Sequence, residues 1–337
     1  MVMLWGDLEQ ISDACYLFFS VATCSLKNTN YLLSQKKFLS LLDFMENEVF
    51  VSQSLVQDKI ISAYAKKMGR IYLIYIVCGF CNCVEWALVP VFEKEGHKIF
   101  PFKIWMPMDA ASAEIPEYLL GYVLQLFGII FSVSTYLTMD IVAISLLMFV
   151  PVQLDIITCK IKEVQHVSIL FDPKQRRDLI EHNSALLKDC IRRHQALLRY
   201  IEGVADIFDI HIFFQLSATV IVVCIIALQM TIEPPNTFHY YSTVNYLMAM
   251  LVQLCFYSWS GNEITERNNV LRDGLYECLW YEQDLSFKRT LWIAMEFMSR
   301  PLIFKAGNYI PLSRPTFVSI LRCSYSYFAV LNQVKNK

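Results

Sequence analysis

The sequence predicts an all-α, polytopic membrane protein: six spanning helices with charged helical extensions on one side of the bilayer. Three observations carry that reading. Hydrophobic residues make up 55% of the 337, charged residues 18%, and mean hydropathy is +0.40, on the membrane side of ordinary soluble domains. Six apolar runs are separated by polar or proline-bearing segments. Lysine and arginine crowd into alternate segments, as they do where loops are held in the cytoplasm.

In chain order, Asp7 to Leu26 is the first apolar run, short and interrupted by Asp13. Met1 to Gln10 has no Lys or Arg, so it lacks the basic start of a secretory signal. Asn28 to Arg70 is polar with a helical period that puts Phe38, Leu41, Leu42 and Met45 on one face. Ile71 to Phe92 spans next and ends at Pro90; Glu93 to Glu117 is a loop carrying Trp105, Pro101, Pro107 and Pro116. Tyr118 to Val150 is apolar, and Pro151 is expected to close it. Asp155 to Asp206 is charged and helical in period, Ile207 to Met230 spans, and Pro234-Pro235 turns the chain. Tyr240 to Ser260 spans, Gly261 to Ser299 is charged, and Thr316 to Val334 is the last apolar run. Its 19 residues make roughly 28 Å of helix at about 1.5 Å per residue, enough to cross a bilayer.

Lys and Arg number seven in 27–70, three in 93–117, nine in 155–206, none in 231–240 and seven in 261–314. The alternation puts the first, third and fifth of these on the cytoplasmic side and both ends of the chain outside. On the last run, Ser319, Cys323, Ser326, Val330 and Val334 share one helical face, and Phe317, Ile320, Leu321, Phe328 and Leu331 lie opposite. A small, partly polar stripe on a spanning helix suits either close packing or water beside it.

Candidate chemistry is thin, and no enzyme is expected. The six histidines show no HExxH or paired-ligand spacing. Cys78, Cys81 and Cys83 sit in a spanning run with no nearby His and read as buried small residues rather than metal ligands; no metal or cofactor is expected. A formal charge of −2 and pI near 6.3 give no reason to expect nucleic acid. Glu85 and Asp140 fall in spanning runs, where a charge is costly; Glu85 lies near an outer end, and Asp140 is deeper, open to a hydrogen-bonded structural role or a conducting one. Asp206, Asp209 and His211 cluster where the next spanning helix is expected to begin, at the membrane boundary. No Asp-Arg-Tyr stands after the third span and no Asn-Pro-x-x-Tyr lies in the last, against a G-protein-coupled receptor. A missing internal repeat disfavours a secondary transporter.

Arg300-Pro301, Ala306-Gly307, Leu312-Ser313, Thr316-Phe317 and Ser324-Tyr325-Ser326-Tyr327-Phe328 stand in the order seen at the carboxyl end of insect odorant receptors. The chain resembles that family most specifically there and weakly over its whole length; a gustatory-type channel subunit is the alternative, resembled less because its Thr-Tyr…Gln-Phe ending is lacking. The resemblance implies seven helices, amino terminus inside and carboxyl terminus outside. The segment from Gly6 to Glu48 resembles the family's second helix and the cytoplasmic segment after it. The family's first helix then has no counterpart, and the sequence reads as an incomplete product, a shortened isoform or a fragment, with a non-functional truncated receptor as a further alternative.

The resemblance further implies an odorant-gated, non-selective cation channel subunit in the plasma membrane of sensory neurons, in a heterotetramer with the odorant receptor coreceptor. Residues 1–265 would hold the second to sixth helices of the family pattern with their cytoplasmic extensions. Residues 266–311 would form a cytoplasmic anchor, and 312–337 the pore-lining helix. A mostly apolar pocket for a volatile ligand would lie in the outer half of the membrane, where Cys15, Trp86, Tyr122, Leu126, Tyr246 and Met250 stand here. The terminal pattern Tyr327-Phe328-Ala329-Val330-Leu331-Asn332-Gln333-Val334-Lys335 would place Val330 and Val334 on the closed ring of the pore, with Gln333 beside them.

Overall fold

Long apolar helical runs leave no backbone polar group unpaired in lipid, and the described residues form six long α-helices and one short one. A computed structural model of the protein describes residues 8–92, 99–102, 114–167, 172–232 and 237–335. Trp105, Pro107 and the Pro234-Pro235 turn lie outside the described residues. The helices are α1 (Leu8–Met45), α2 (Leu55–Phe92), α3 (Ile115–Lys162), α4 (Pro173–Ile232), α5 (Phe238–Glu277), α6 (Leu285–Met298) and α7 (Arg314–Lys335). Of these, α2, α3 and α4 contain stretches long and apolar enough to cross a membrane. α1, α5 and α7, at 38, 40 and 22 residues, also have the length. The chain is a multi-pass membrane protein.

Sequence chemistry sets the boundaries. Asn47 stops α1 by accepting the Val49 amide, and a 3₁₀ turn at Glu48–Phe50 leads to α2, so residues 28–70 are two helices with a break rather than one stretch. Thr237 caps α5 through the Tyr240 amide at 3.2 Å; Asp284 caps α6 through the Ser286 and Phe287 amides. Pro151 does not close α3, contrary to expectation. The helix runs on to Lys162, because Leu154, Ile157 and Ile161 bury themselves beyond it and offset the ~3 kcal/mol that an interior proline costs. Likewise α4 starts at Pro173 and is continuous through Asp206, Asp209 and His211, which lie mid-helix rather than at a helix start.

α3 is the central element, packed on α2, α4 and α5; α1 lies along α4, and α7 on α4 and α5. The larger core joins the second half of α3 (Ile144, Leu147, Leu154, Ile157) to α4 (Leu197, Tyr200, Val204) and α5 (Ile264, Leu271, Leu275), with Phe287 and Leu291 of α6. The Ala306-Gly307 motif makes a hairpin, β1 (Lys305–Ala306) against β2 (Ile310–Pro311). Gly307 (φ 58°) and Asn308 (φ 62°) both adopt the left-handed conformation of its turn. The turn seats on α4: the Gly307 amide donates to the Asp209 carbonyl at 3.0 Å, and a Cβ at Gly307 would strike the Phe213 ring. That hairpin delivers the chain to α7.

Two further expectations change. Lys27, counted among loop cations, is buried inside the bundle. Of the three cysteines on α2, only Cys83 is buried; Cys78 is half-buried and Cys81 faces outward.

Candidate functional site

Three regions of the bundle carry polar or aromatic chemistry. At the middle, Asp140 of α3 is fully buried (0% exposed) and Lys27 of α1 nearly so (2%), their charges 2.6 Å apart. Tyr75 of α2 and Tyr257 of α5 donate to the carboxylate at 2.8 and 2.7 Å, and the Gln253 amide donates to it as well. The Lys27 ammonium also lies 3.5 Å from the Tyr136 ring centre. Gln215 of α4 extends the network, accepting from the Tyr136 hydroxyl at 2.9 Å and donating to Gln253 at 2.9 Å. Four helices, α1, α2, α3 and α5, meet at one carboxylate and α4 joins them through Gln215; the carboxylate oxygens are all satisfied, which is what an ion in a low-dielectric interior requires. Asp140 is thus a hydrogen-bonded structural hub.

Toward the end of the bundle where α2 and α4 finish lies a smaller apolar cluster: Trp86 and Val89 of α2, Phe102, Val222, Val223 and Ile226 of α4, and Met250 of α5, with Tyr246 packed against it. Phe102 comes from the segment between α2 and α3 and is held by Gln125, whose side-chain amide takes the Phe102 N–H at 3.1 Å and gives to its carbonyl at 3.3 Å. The Phe102 ring thereby stacks on Trp86, centroids 5.1 Å apart, while His239 meets Trp86 edge-on at 5.3 Å. Tyr246 shares a 2.6 Å hydrogen bond with Ser20 of α1, tying a further helix into the site. Aromatic faces and a thioether, with few polar groups, bind by shape and dispersion. Among the described residues, no three His, Cys, Asp or Glu side chains gather closely enough to hold a metal ion.

The third region is α7. Ile320 and Ser324 are buried and Phe317 and Leu321 half-buried, with the Ser324 hydroxyl 3.5 Å from the Val220 carbonyl of α4. Ser319, Cys323, Ser326 and Val330 are exposed, so the small-residue stripe is the face that packs on nothing within the described residues of this chain.

Residues 7–325 match the family described as 7tm Odorant receptor. The chain belongs to that family. Odorant receptor Or1 of Anopheles gambiae is 22% identical over 98% of this chain and 83% of its own length. Odorant receptor 46a, isoform A, of Drosophila melanogaster is 24% identical over 98% and 85%. The insect olfactory receptor OR5 from Machilis hrabei, in its eugenol complex, superposes with a TM-score of 0.82 at 15% identity, covering 98% of this chain and 84% of that one.

Within this odorant receptor, the residues singled out from sequence fall into three groups. Trp86, Tyr246 and Met250 come together in the smaller apolar cluster, and Tyr122 adjoins them by donating to the Ala87 carbonyl at 2.7 Å. Leu126 and Cys15 are half-buried and lie outside that cluster. Val330 and Gln333 are exposed on α7; the Val334 side chain lies outside the described residues. Sequence reasoning misses Phe102 and the α4 residues Val222, Val223 and Ile226. Phe102 sits in a loop, where no periodicity points to it, and α4 is apolar on every side in this stretch, so its pattern singles out no face.

Proposed function

We propose that this receptor is the odorant-binding subunit of a ligand-gated, non-selective cation channel, assembled with the odorant receptor coreceptor as a heterotetramer in the plasma membrane of olfactory neurons. Membership in the 7tm odorant receptor family carries the reading. The ligand is a volatile, mostly apolar molecule bound at the outer cluster, where Trp86, Phe102, Tyr246 and Met250 offer ring faces and a polarizable sulfur. Cys15, Tyr122 and Leu126 complete the pocket when a ligand opens it. The exposed stripe of α7 lines the pore, with Val330 and Val334 as a ring too apolar to hold water and Gln333 as its polar neighbour. The basic segments 155–206 and 266–299 lie in the cytoplasm as the assembly anchor, and the carboxyl terminus is extracellular.

Co-expression with the coreceptor tests this directly: odour should evoke cation current within milliseconds, without nucleotides or a G protein. Trp86→Ala or Tyr246→Ala should shift the tuning curve and spare coreceptor-driven current. Val330→Ser or Val334→Ser should raise basal current or alter ion selectivity, whereas Phe317→Ser on the packed face should lower assembly. Unchanged tuning in the pocket variants, or unchanged basal current and selectivity in both valine variants at normal expression, would overturn the corresponding assignment. Surface labelling of a tag within 155–206 on intact cells would reverse the topology.

A further inference from the structure

A cleft of about 180 Å³ opens on the flank of the bundle between α1 and α4, away from the Trp86 cluster. Its floor is polar and buried, and its mouth is apolar and exposed. Lys27 and His211 line the floor, and Leu26, Leu33 and Phe214 flank the opening. His211 is 6% exposed, and its Nε2 has no hydrogen-bond partner. Leaving such a nitrogen dry and unpaired costs about 1–3 kcal/mol, so something that bonds to it gains binding energy there. The Lys27 ammonium has three hydrogens; one goes to Asp140 and one faces the Tyr136 ring, which leaves a third for the cleft. Asn30 closes one edge, its amide donating to the Ile207 carbonyl across the two helices at 2.9 Å.

We infer that this cleft is a second small-molecule site, for an amphiphile with a single hydroxyl head and an apolar body that enters sideways from the bilayer. A hydroxyl is the group that satisfies both floor residues at once: its oxygen accepts from Lys27 while its hydrogen goes to His211 Nε2. The leucine and phenylalanine rim accommodates the hydrocarbon. A carboxylate head would bring a third charge to a Lys27–Asp140 pair that is already neutral, and an alkane would leave His211 unpaired. Because the occupant contacts Lys27, it reports on the hub where five helices meet.

The test uses the full chain in lipid nanodiscs, photolabelled with an alkanol bearing a diazirine and with the matched diazirine alkane. The alcohol should label α1 and α4 peptides around Lys27 and His211 about tenfold more than the alkane does, the ratio expected for one good hydrogen bond. His211→Leu should remove that preference, and Leu33→Trp should block labelling by filling the mouth from a position that is 83% exposed and outside the packed core. Trp86→Ala should leave the labelling as it is, which separates this site from the outer cluster. Protection by excess hexan-1-ol assigns the site to small free alcohols, and protection by cholesterol assigns it to a membrane sterol. Equal labelling by alcohol and alkane overturns the inference. So does wild-type labelling in Leu33→Trp, a result that stands even if His211→Leu fails to fold.

Discussion

The Asp140 hub and the Trp86 cluster are built on the same helices, α1 to α5, yet they are held by opposite physics. The hub consists of directional bonds around one charge: move any partner and a buried ion loses what satisfies it. The cluster consists of rings and branched chains whose attraction depends on contact rather than angle. The first arrangement has a single solution, which suits the register of a bundle. The second tolerates rearrangement, which suits recognition of apolar molecules that differ in shape. If the proposed ligand site is right, fold specification and ligand recognition occupy different levels of one set of helices.

The sharpest way to break this comparison is to remove one half of the buried pair. Lys27→Met alone should destabilise the solubilised receptor by about 3–5 kcal/mol, because it leaves the buried Asp140 carboxyl without its counter-charge. Lys27→Met combined with Asp140→Asn should recover most of that loss, since Tyr75 and Tyr257 can still donate to the amide oxygen. Thermal unfolding in a double-mutant cycle measures it. Additive losses would mean that the two charges do not depend on each other and that the hub is not the register device described.

A second buried group tests whether the first half of α4 shares the hub's intolerance. His194 of α4 is buried with its Nε2 unpaired, and burial pushes its pKa from 6.5 down to about 4. The folded state therefore holds His194 neutral where the unfolded chain begins to bind a proton. Its contribution to stability is complete above pH 6.5 and is lost progressively as pH falls toward 4, about 3 kcal/mol in total for a shift of that size. His194→Phe should flatten the stability profile across that window. An unaltered profile would mean that other groups dominate it.

How far these regions can be read from sequence depends on the same contrast. The two faces of α7 are legible because a period of three and four residues leaves a trace: Ile320 and Ser324 are packed, and Ser319, Cys323, Ser326 and Val330 are free. Trp86, Tyr246 and Met250 are legible as aromatic and sulfur side chains in apolar runs, although their grouping is not. The hub is half legible. Asp140 stands out as a charge inside an apolar run, but Lys27 sits at the ragged end of the first run and reads as a loop cation. Pairing across 113 positions leaves no local pattern. Pro151 misleads for the converse reason: its local rule is strong, and only the packing of Leu154 and Ile157 beyond it shows that the rule is overridden.

A milder change sharpens the claim about the Trp86 cluster. Met250→Leu nearly conserves volume, so it should cost less than about 1.5 kcal/mol of stability while removing a flexible, polarizable thioether from the pocket wall. The receptor should fold and traffic normally with a shifted order of odour preference, read as dose–response curves for a panel of volatiles. A loss as large as that of Lys27→Met would show that the cluster is as exacting as the hub.

The smallest expected effect is the most telling control. Lys37 and Asp206 form a second lysine–aspartate pair between α1 and α4, also at 2.6 Å, but with side chains 60% and 61% exposed. Identical chemistry at an identical distance should behave differently because of what surrounds it. In water the charges are already solvated, the Coulomb gain is screened, and ordering two flexible side chains costs entropy, so such a pair contributes about 0–1 kcal/mol. Asp206→Asn should therefore shift the thermal midpoint barely at all, and raising salt should erase what shift there is. Lys27→Met should show no comparable salt dependence, since ions do not reach a pair with 2% and 0% exposure. If Asp206→Asn instead matched Lys27→Met in size, burial would not be what sets the two pairs apart.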